Sequence, residues 1–133
     1  MYQWKEEHCT GIQSIDNQHK EIFVYLNRLL EAMKLGQADK VIYQIVIELE
    51  MYSKVHFQKE EFFFQRFNYS GAPEHIREHQ FFIQKVANLK SDLKAGKNAL
   101  SIELLNFLKD WIEHHILVVD KSYSECFQKN GLK

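Results

Sequence analysis

Histidines and carboxylates recur along this chain at intervals that could bind a metal ion. His56 and Glu60 are four residues apart, as are His75 and His79. Side chains four apart are neighbours on a helix surface. His19, the doublet His114–His115 and Asp120 extend the set. Each pair alone is a weak signal, since such pairs are common on solvated helix faces, and a lone buried histidine is more often a core group with one hydrogen bond. Their joint placement is what carries information, and that depends on the elements that hold them.

The chain breaks cleanly in three places: at Gly36, across 68–73 where Asn68 and Pro73 stand, and at the AGKN stretch 95–98. Between the breaks the apolar residues step by three and four, the spacing of one buried stripe per helix. The first segment carries Ile22, Phe23, Leu26, Leu29, Leu30 and Met33. The second carries Ile45, Leu49, Tyr52, then Phe63 and Phe67. The third carries Phe82, Val86, Leu89 and Leu93, and the fourth Leu104, Leu108 and Trp111. Pro73 suits the first turn of the third helix, where a missing N–H costs nothing. Four amphipathic helices with short connections predict an all-α protein, an up-down-up-down antiparallel four-helix bundle. At 133 residues the chain reads as one domain over 1–133, with an N-terminal arm at 1–15 and the bundle at about 16–129. Trp4 and Ile12 suggest that the arm packs on the bundle.

The apolar stripes lead to the polar residues. Four back from Phe23 is His19. Four on from Tyr52 is His56, and four more is Glu60. Three back from Phe82 is His79, and four further back is His75. Four on from Trp111 is His115. Every helix thus points a potential metal ligand inward. Left unsatisfied in a core, such groups cost on the order of 1–3 kcal/mol each; a metal centre satisfies them together. Cys9 and Cys126 form no thiolate ligand set, so structural zinc is disfavoured. Imidazoles with a few carboxylates suit iron, copper, nickel or zinc. Six or more ligands are too many for one ion that must also bind something, and carboxylates between histidine clusters can bridge two. No Glu-x-x-His motif occurs, which disfavours a ferritin-like di-iron site.

His114 lies about 100° from His115 around a helix and is expected to face solvent or a neighbouring helix edge. Asp120 is less simple. Five residues on from His115 is about 140° around a regular helix, poorly aimed for a shared site. Beyond it the inward pattern resumes one position late, as Asp120, Tyr123 and Phe127. A single π-type turn between His115 and Asp120 would produce that jump. His8, in the arm, is expected at the surface.

With these motifs in place the sequence resembles the hemerythrins, in particular their bacterial single-domain form. The resemblance rests on DNQHKEIF with His19, HFQKEE with His56 and Glu60, HIREH with His75 and His79, and HILVVDKSY with His115, Asp120 and Tyr123. It spans essentially the whole chain. FNYSGAPEH departs from the tyrosine–proline turn usual in bacterial members, which touches a loop and no ligand. The resemblance implies two iron ions in a non-haem centre that binds O2 reversibly, bridged by an oxo or hydroxo group and by Glu60 and Asp120. His75, His79 and His115 would hold one iron, His19 and His56 the other. The two-histidine iron then has five ligands and an open position for O2. Ile22, Phe57, Trp111 and Ile112 would form a dry O2 pocket, and Tyr123 would hydrogen-bond a bridging carboxylate, Glu60. The resemblance points to O2 storage, transport or delivery rather than an enzyme. The alternatives are an O2 or redox sensor acting through a separate partner, and a di-iron oxidase, peroxidase or nitric-oxide-handling enzyme.

Composition excludes several other classes. The formal charge is −1 and the pI about 6.7, so no basic field points to nucleic acid or to a membrane surface. No segment approaches the roughly 18 apolar residues of a membrane span. The N-terminus lacks the marks of a signal peptide. Two unpaired cysteines fit a reducing compartment, so a cytoplasmic location is expected. Besides O2, a protein partner for O2 delivery or electron supply is expected.

Overall fold

The computed structural model describes residues 2–97 and 100–132. Three long helices come first: α1 (Gln13–Lys34), α2 (Ala38–Arg66) and α3 (Ala72–Lys94). The fourth rod is composite. It begins as α4 (Ser101–Asp110), continues as a π-helical stretch (Trp111–Val119), and ends as α5 (Asp120–Lys129). Among the described residues there is no strand. Consecutive helices run antiparallel, as the short connections demand.

The helix ends follow from local chemistry. Gly36 takes a left-handed φ of 67°, and the next amide, Gln37, returns 2.7 Å to the carbonyl of Ala32. This closes α1 in the manner typical of a glycine after the last turn. Asn68 does the same for α2 at φ 53°, with the Tyr69 amide 2.9 Å from the Phe64 carbonyl. Pro73 stands in the first turn of α3 as expected. The third break also ends a helix, although Asn98 of the AGKN stretch lies outside the described residues.

The arm is fastened at both ends. Tyr2 and Asn27 exchange two hydrogen bonds of 2.9 and 2.8 Å. Thr10 donates through its amide and its hydroxyl to Asp16, and its carbonyl accepts from Gln128 at 2.9 Å. Ile12 is fully buried and Trp4 meets Phe23 edge-on. His8 corrects the expectation of a surface histidine. It is buried against Phe23, 4.9 Å between ring centres, and its Nδ1 accepts from the Lys5 amide. The 3-10 turn Glu6–His8 curls the ring under the arm, which residue type alone does not show.

The core is two apolar clusters separated by a polar layer. The larger runs from Leu29 and Leu49 through Phe82 and Leu108 to Trp111 and Ile116. The smaller gathers Ile12, Ile15, Phe64, Tyr123 and Phe127. Phe64 replaces Phe63 and Phe67 as the inward residue of α2; those two are only half-buried. It continues the four-residue steps of Tyr52, His56 and Glu60, which shows that the polar residues belong to the same stripe as the apolar ones. Phe64→Ala should therefore cost about 3–5 kcal/mol in chemical denaturation, and Phe63→Ala clearly less; equal costs would contradict this helix phase.

Candidate metal centre

Every helix of the bundle contributes to the polar layer. α1 supplies His19, α2 supplies His56 and Glu60, α3 supplies His75 and His79, the π-helical stretch supplies His115, and α5 opens with Asp120. All seven side chains are at most 2 % exposed. The seven residues picked from the sequence thus lie together in one dry layer.

The carboxylates divide the layer into two sets of donors. One set is Glu60, His75, His79, His115 and Asp120; the other is His19, His56, Glu60 and Asp120. Within each set one donor atom per residue lies within 4.8 Å of all the others. Asp120 splits its oxygens between them. Oδ1 lies 2.7 Å from His75 Nε2 and 2.9 Å from His115 Nε2, while Oδ2 lies 2.9 Å from His19 Nε2. Glu60 Oε1 lies 3.0 Å from His79 Nε2 and 3.3 Å from His56 Nε2, and Oε2 lies 3.8 Å from His19 Nε2.

These short distances leave most of the inner donor atoms without an assigned hydrogen-bond partner. The Nε2 atoms of His19, His75, His79 and His115, Glu60 Oε1 and both oxygens of Asp120 have no hydrogen-bond partner despite full burial. Three of the rings have already committed their outer nitrogen. His56 Nδ1 meets Gln18 Oε1 at 2.6 Å, His79 Nδ1 meets Glu61 Oε2 at 3.0 Å, and His115 Nδ1 meets Glu78 Oε1 at 2.8 Å. An imidazole donating its Nδ1 proton presents a lone pair at Nε2. That lone pair then faces carboxylate lone pairs, which is repulsive unless a proton or a metal ion lies between them. Donors bound side by side at about 2.1 Å to one ion sit about 3 Å apart, the spacing seen here. The residues present therefore fit two bound metal ions.

The acid–base balance of the layer agrees. Burial opposes charge on His19, His56, His79, His115, Glu60 and Asp120. Even so, Asp120 and Glu60 raise the His19 imidazole to about 10, and Asp120 with Glu78 raises that of His115 to about 9. His56 goes the other way: burial takes it down to about 3 against the pull of Glu60. Burial and mutual repulsion act upward on Glu60 and Asp120, yet the surrounding imidazoles hold both well below the carboxylate range. The two carboxylates are thus anions that attract positive charge, and metal ions compete with protons for the same lone pairs.

The π-helical stretch explains how Asp120 reaches the layer. Its amide bonds back to the carbonyl of His115, five residues away. A turn closed over five residues stacks Asp120 above His115 instead of 140° from it. The wider turn extends further than a single turn between those residues, starting four residues earlier at Trp111.

The flanking residues take distinct places. Tyr123 is fully buried and donates its hydroxyl to Glu60 Oε2. Phe57 stacks on His79 at 3.9 Å, and Trp111 stacks on His115 at 3.9 Å. Ile22 and Ile112 are fully buried in the larger cluster. His114 is exposed, its Nε2 3.5 Å from Glu78. Sequence reasoning missed Gln18, Glu61 and Glu78. Each stands next to a ligand candidate in the chain, and each supports the ring of the following helix instead.

The comparisons with known proteins agree with this geometry. The family model described as "Hemerythrin HHE cation binding domain" matches residues 10–125. A bacteriohemerythrin of Clostridium acetobutylicum is 33 % identical over 128 residues, covering 92 % of this chain and 98 % of that one. Another, from Methylococcus capsulatus, is 30 % identical and covers 90 % and 91 %. A wild-type hemerythrin crystal structure superposes with a TM-score of 0.84 at 29 % identity, over 95 % of this chain and 97 % of that chain.

Two metal ions per chain should be measurable by titration of the metal-free protein with a redox-silent divalent ion such as Zn2+. His115→Ala should lower the affinity by more than the 10–100-fold typical of an outer hydrogen-bond partner, while His114→Ala should leave it unchanged. Equal effects would contradict the assignment of one neighbour inward and the other outward.

Proposed function

The chain belongs to the hemerythrin family, whose function is O2 binding at a non-haem di-iron centre, and from that premise we propose how its own residues divide that task. His75, His79 and His115 hold one iron, the three-histidine position. His19 and His56 hold the other, the two-histidine position. Glu60 and Asp120 serve both. The observation that carries this division is the way Asp120 turns one oxygen to each group of imidazoles. When bound, the two irons supply the electrons and the open coordination position that O2 requires.

The protein's part is to hold, orient and keep dry. Three imidazoles and two carboxylates would hold the iron at the three-histidine position, and with one nitrogen fewer the two-histidine position would leave room for O2. Ile22, Phe57, Trp111 and Ile112 are nearly or fully buried and close the layer on its larger apolar side. A dry wall excludes water and reductants, which favours reversible binding over further reaction. Tyr123, by donating to Glu60, fixes the orientation of that carboxylate. The fittest role is storage, transport or buffering of O2 by a single domain over 1–133, without an enzymatic turnover of its own. No described helix is long and apolar enough to cross a membrane. Cys9 and Cys126 are both free thiols, which supports a cytoplasmic place of work. A protein partner would supply electrons or receive O2.

The deciding measurement is optical. The protein loaded with two irons, reduced without air and then exposed to O2, should develop a visible charge-transfer band. The band should vanish when O2 is removed and return over repeated cycles. Oxidation with no reversible band would overturn the carrier reading, and one iron per chain would overturn the division of ligands.

A further inference from the structure

The outer nitrogens of the five imidazoles are supported unequally. At the three-histidine position His79 donates to Glu61 and His115 donates to Glu78, both carboxylates. At the two-histidine position His56 donates to the amide oxygen of Gln18, a neutral group. His19 Nδ1 and His75 Nδ1 have no hydrogen-bond partner. Two anions therefore stand behind one metal position, and none stands behind the other. A carboxylate that accepts the outer N–H makes the imidazole a stronger donor at its inner nitrogen and places negative charge close to the ion. Both effects favour the higher oxidation state. An amide orients the ring equally well without adding charge.

We propose that Glu61 and Glu78 are positioning residues that give the three-histidine position the lower reduction potential, so that the first electron entering the oxidised pair settles at the two-histidine position. This rests on the di-iron reading above. The step is a one-electron transfer: an external reductant loses one electron, and the ferric ion at the two-histidine position becomes ferrous. No bond to the protein forms or breaks. A second electron then reduces the ion at the three-histidine position. The side with the open position is thus the first to become ferrous and the last to lose that state.

Glu61 and Glu78 could instead be simple clamps between helices, α2 to α3 and α3 to the fourth rod. Glutamine separates the two roles, since it keeps a hydrogen-bond acceptor of the same length and removes the charge. Both carboxylates are about one-third exposed, so water screens them and the effect is modest.

The test is a mediator-coupled redox titration of protein loaded with two irons, with Mössbauer spectra of the half-reduced form. In Glu61→Gln/Glu78→Gln the second, lower-potential step should move upward by about tenfold in the ferric-to-ferrous ratio, about 59 mV, while the first step moves much less. Gln18→Glu should do the converse, moving the first step downward by a similar amount, and it tests the idea even if the double variant folds poorly. Zn2+ should still bind at two ions per chain in both variants. Potentials that stay unmoved, or that move together by the same amount, with two irons present would overturn the inference alone. A chain that never takes up two irons would overturn the di-iron reading and the inference with it.

Discussion

Five imidazoles and two carboxylates crowd their metal-binding atoms together in a layer that water does not reach. Everything else in the structure is arranged around that crowding. Apolar residues could have filled the layer and given a more stable bundle, since buried polar groups without partners are costly. The layer is tolerable because its members face each other at the spacing of ligands sharing an ion, so two cations convert mutual repulsion into bonds. Metal binding is then also folding free energy, because the unfolded chain offers no such assembled site. The two apolar clusters on either side have a defined task. They bring four helices to a common level so that residues 19, 56, 60, 75, 79, 115 and 120 coincide in height.

The fourth rod shows how far backbone geometry bends to that need. His115 and Asp120 are both wanted in the layer, and regular pitch would separate them by more than a third of a turn. The π-helical stretch removes the mismatch by adding one residue to the turn. Such wide turns are rare and are found mostly at functional sites. Trp111 stacked on His115 and Tyr123 bonded to Glu60 bracket it from both sides. Of its apolar residues Trp111, Ile112 and Ile116 are buried, which anchors the widened segment in the core, while Val118 is exposed.

Much of this was legible in the sequence because one periodicity served both packing and chemistry. Steps of three and four gave the helices and, extended without change, gave the ligand candidates. The jump of one position before Asp120 was readable for the same reason: a stripe that resumes late needs an extra residue in a turn. Its start at Trp111 was not readable, since a widened turn that begins inside an apolar run leaves the run intact. Phe64 was missed because three phenylalanines stand together at 62–64; it is the one that continues the steps of Tyr52, His56 and Glu60 and meets Tyr123 and His75. His8 was misread because the arm has no period to extend.

Gln18, Glu61 and Glu78 were invisible for a different reason. Each stands one residue from a ligand candidate, about 100° off the inward stripe, where a polar side chain looks like part of a solvated face. Only the packing of neighbouring helices reveals that this angle is a seam. Across the seams the support runs in one direction: Gln18 of α1 holds His56 of α2, Glu61 of α2 holds His79 of α3, and Glu78 of α3 holds His115 of the fourth rod. The circuit stops there, for His19 of α1 has no such partner on its outer nitrogen. A ring of four helices with three supported seams cannot treat its ligands equally. His19, like His75, has no partner on its outer nitrogen, and it belongs to the donor set with fewer nitrogens. Charge is therefore unequal on the two sides: carboxylates back two rings of the set that holds His75, His79 and His115, and only an amide backs a ring of the set that holds His19 and His56.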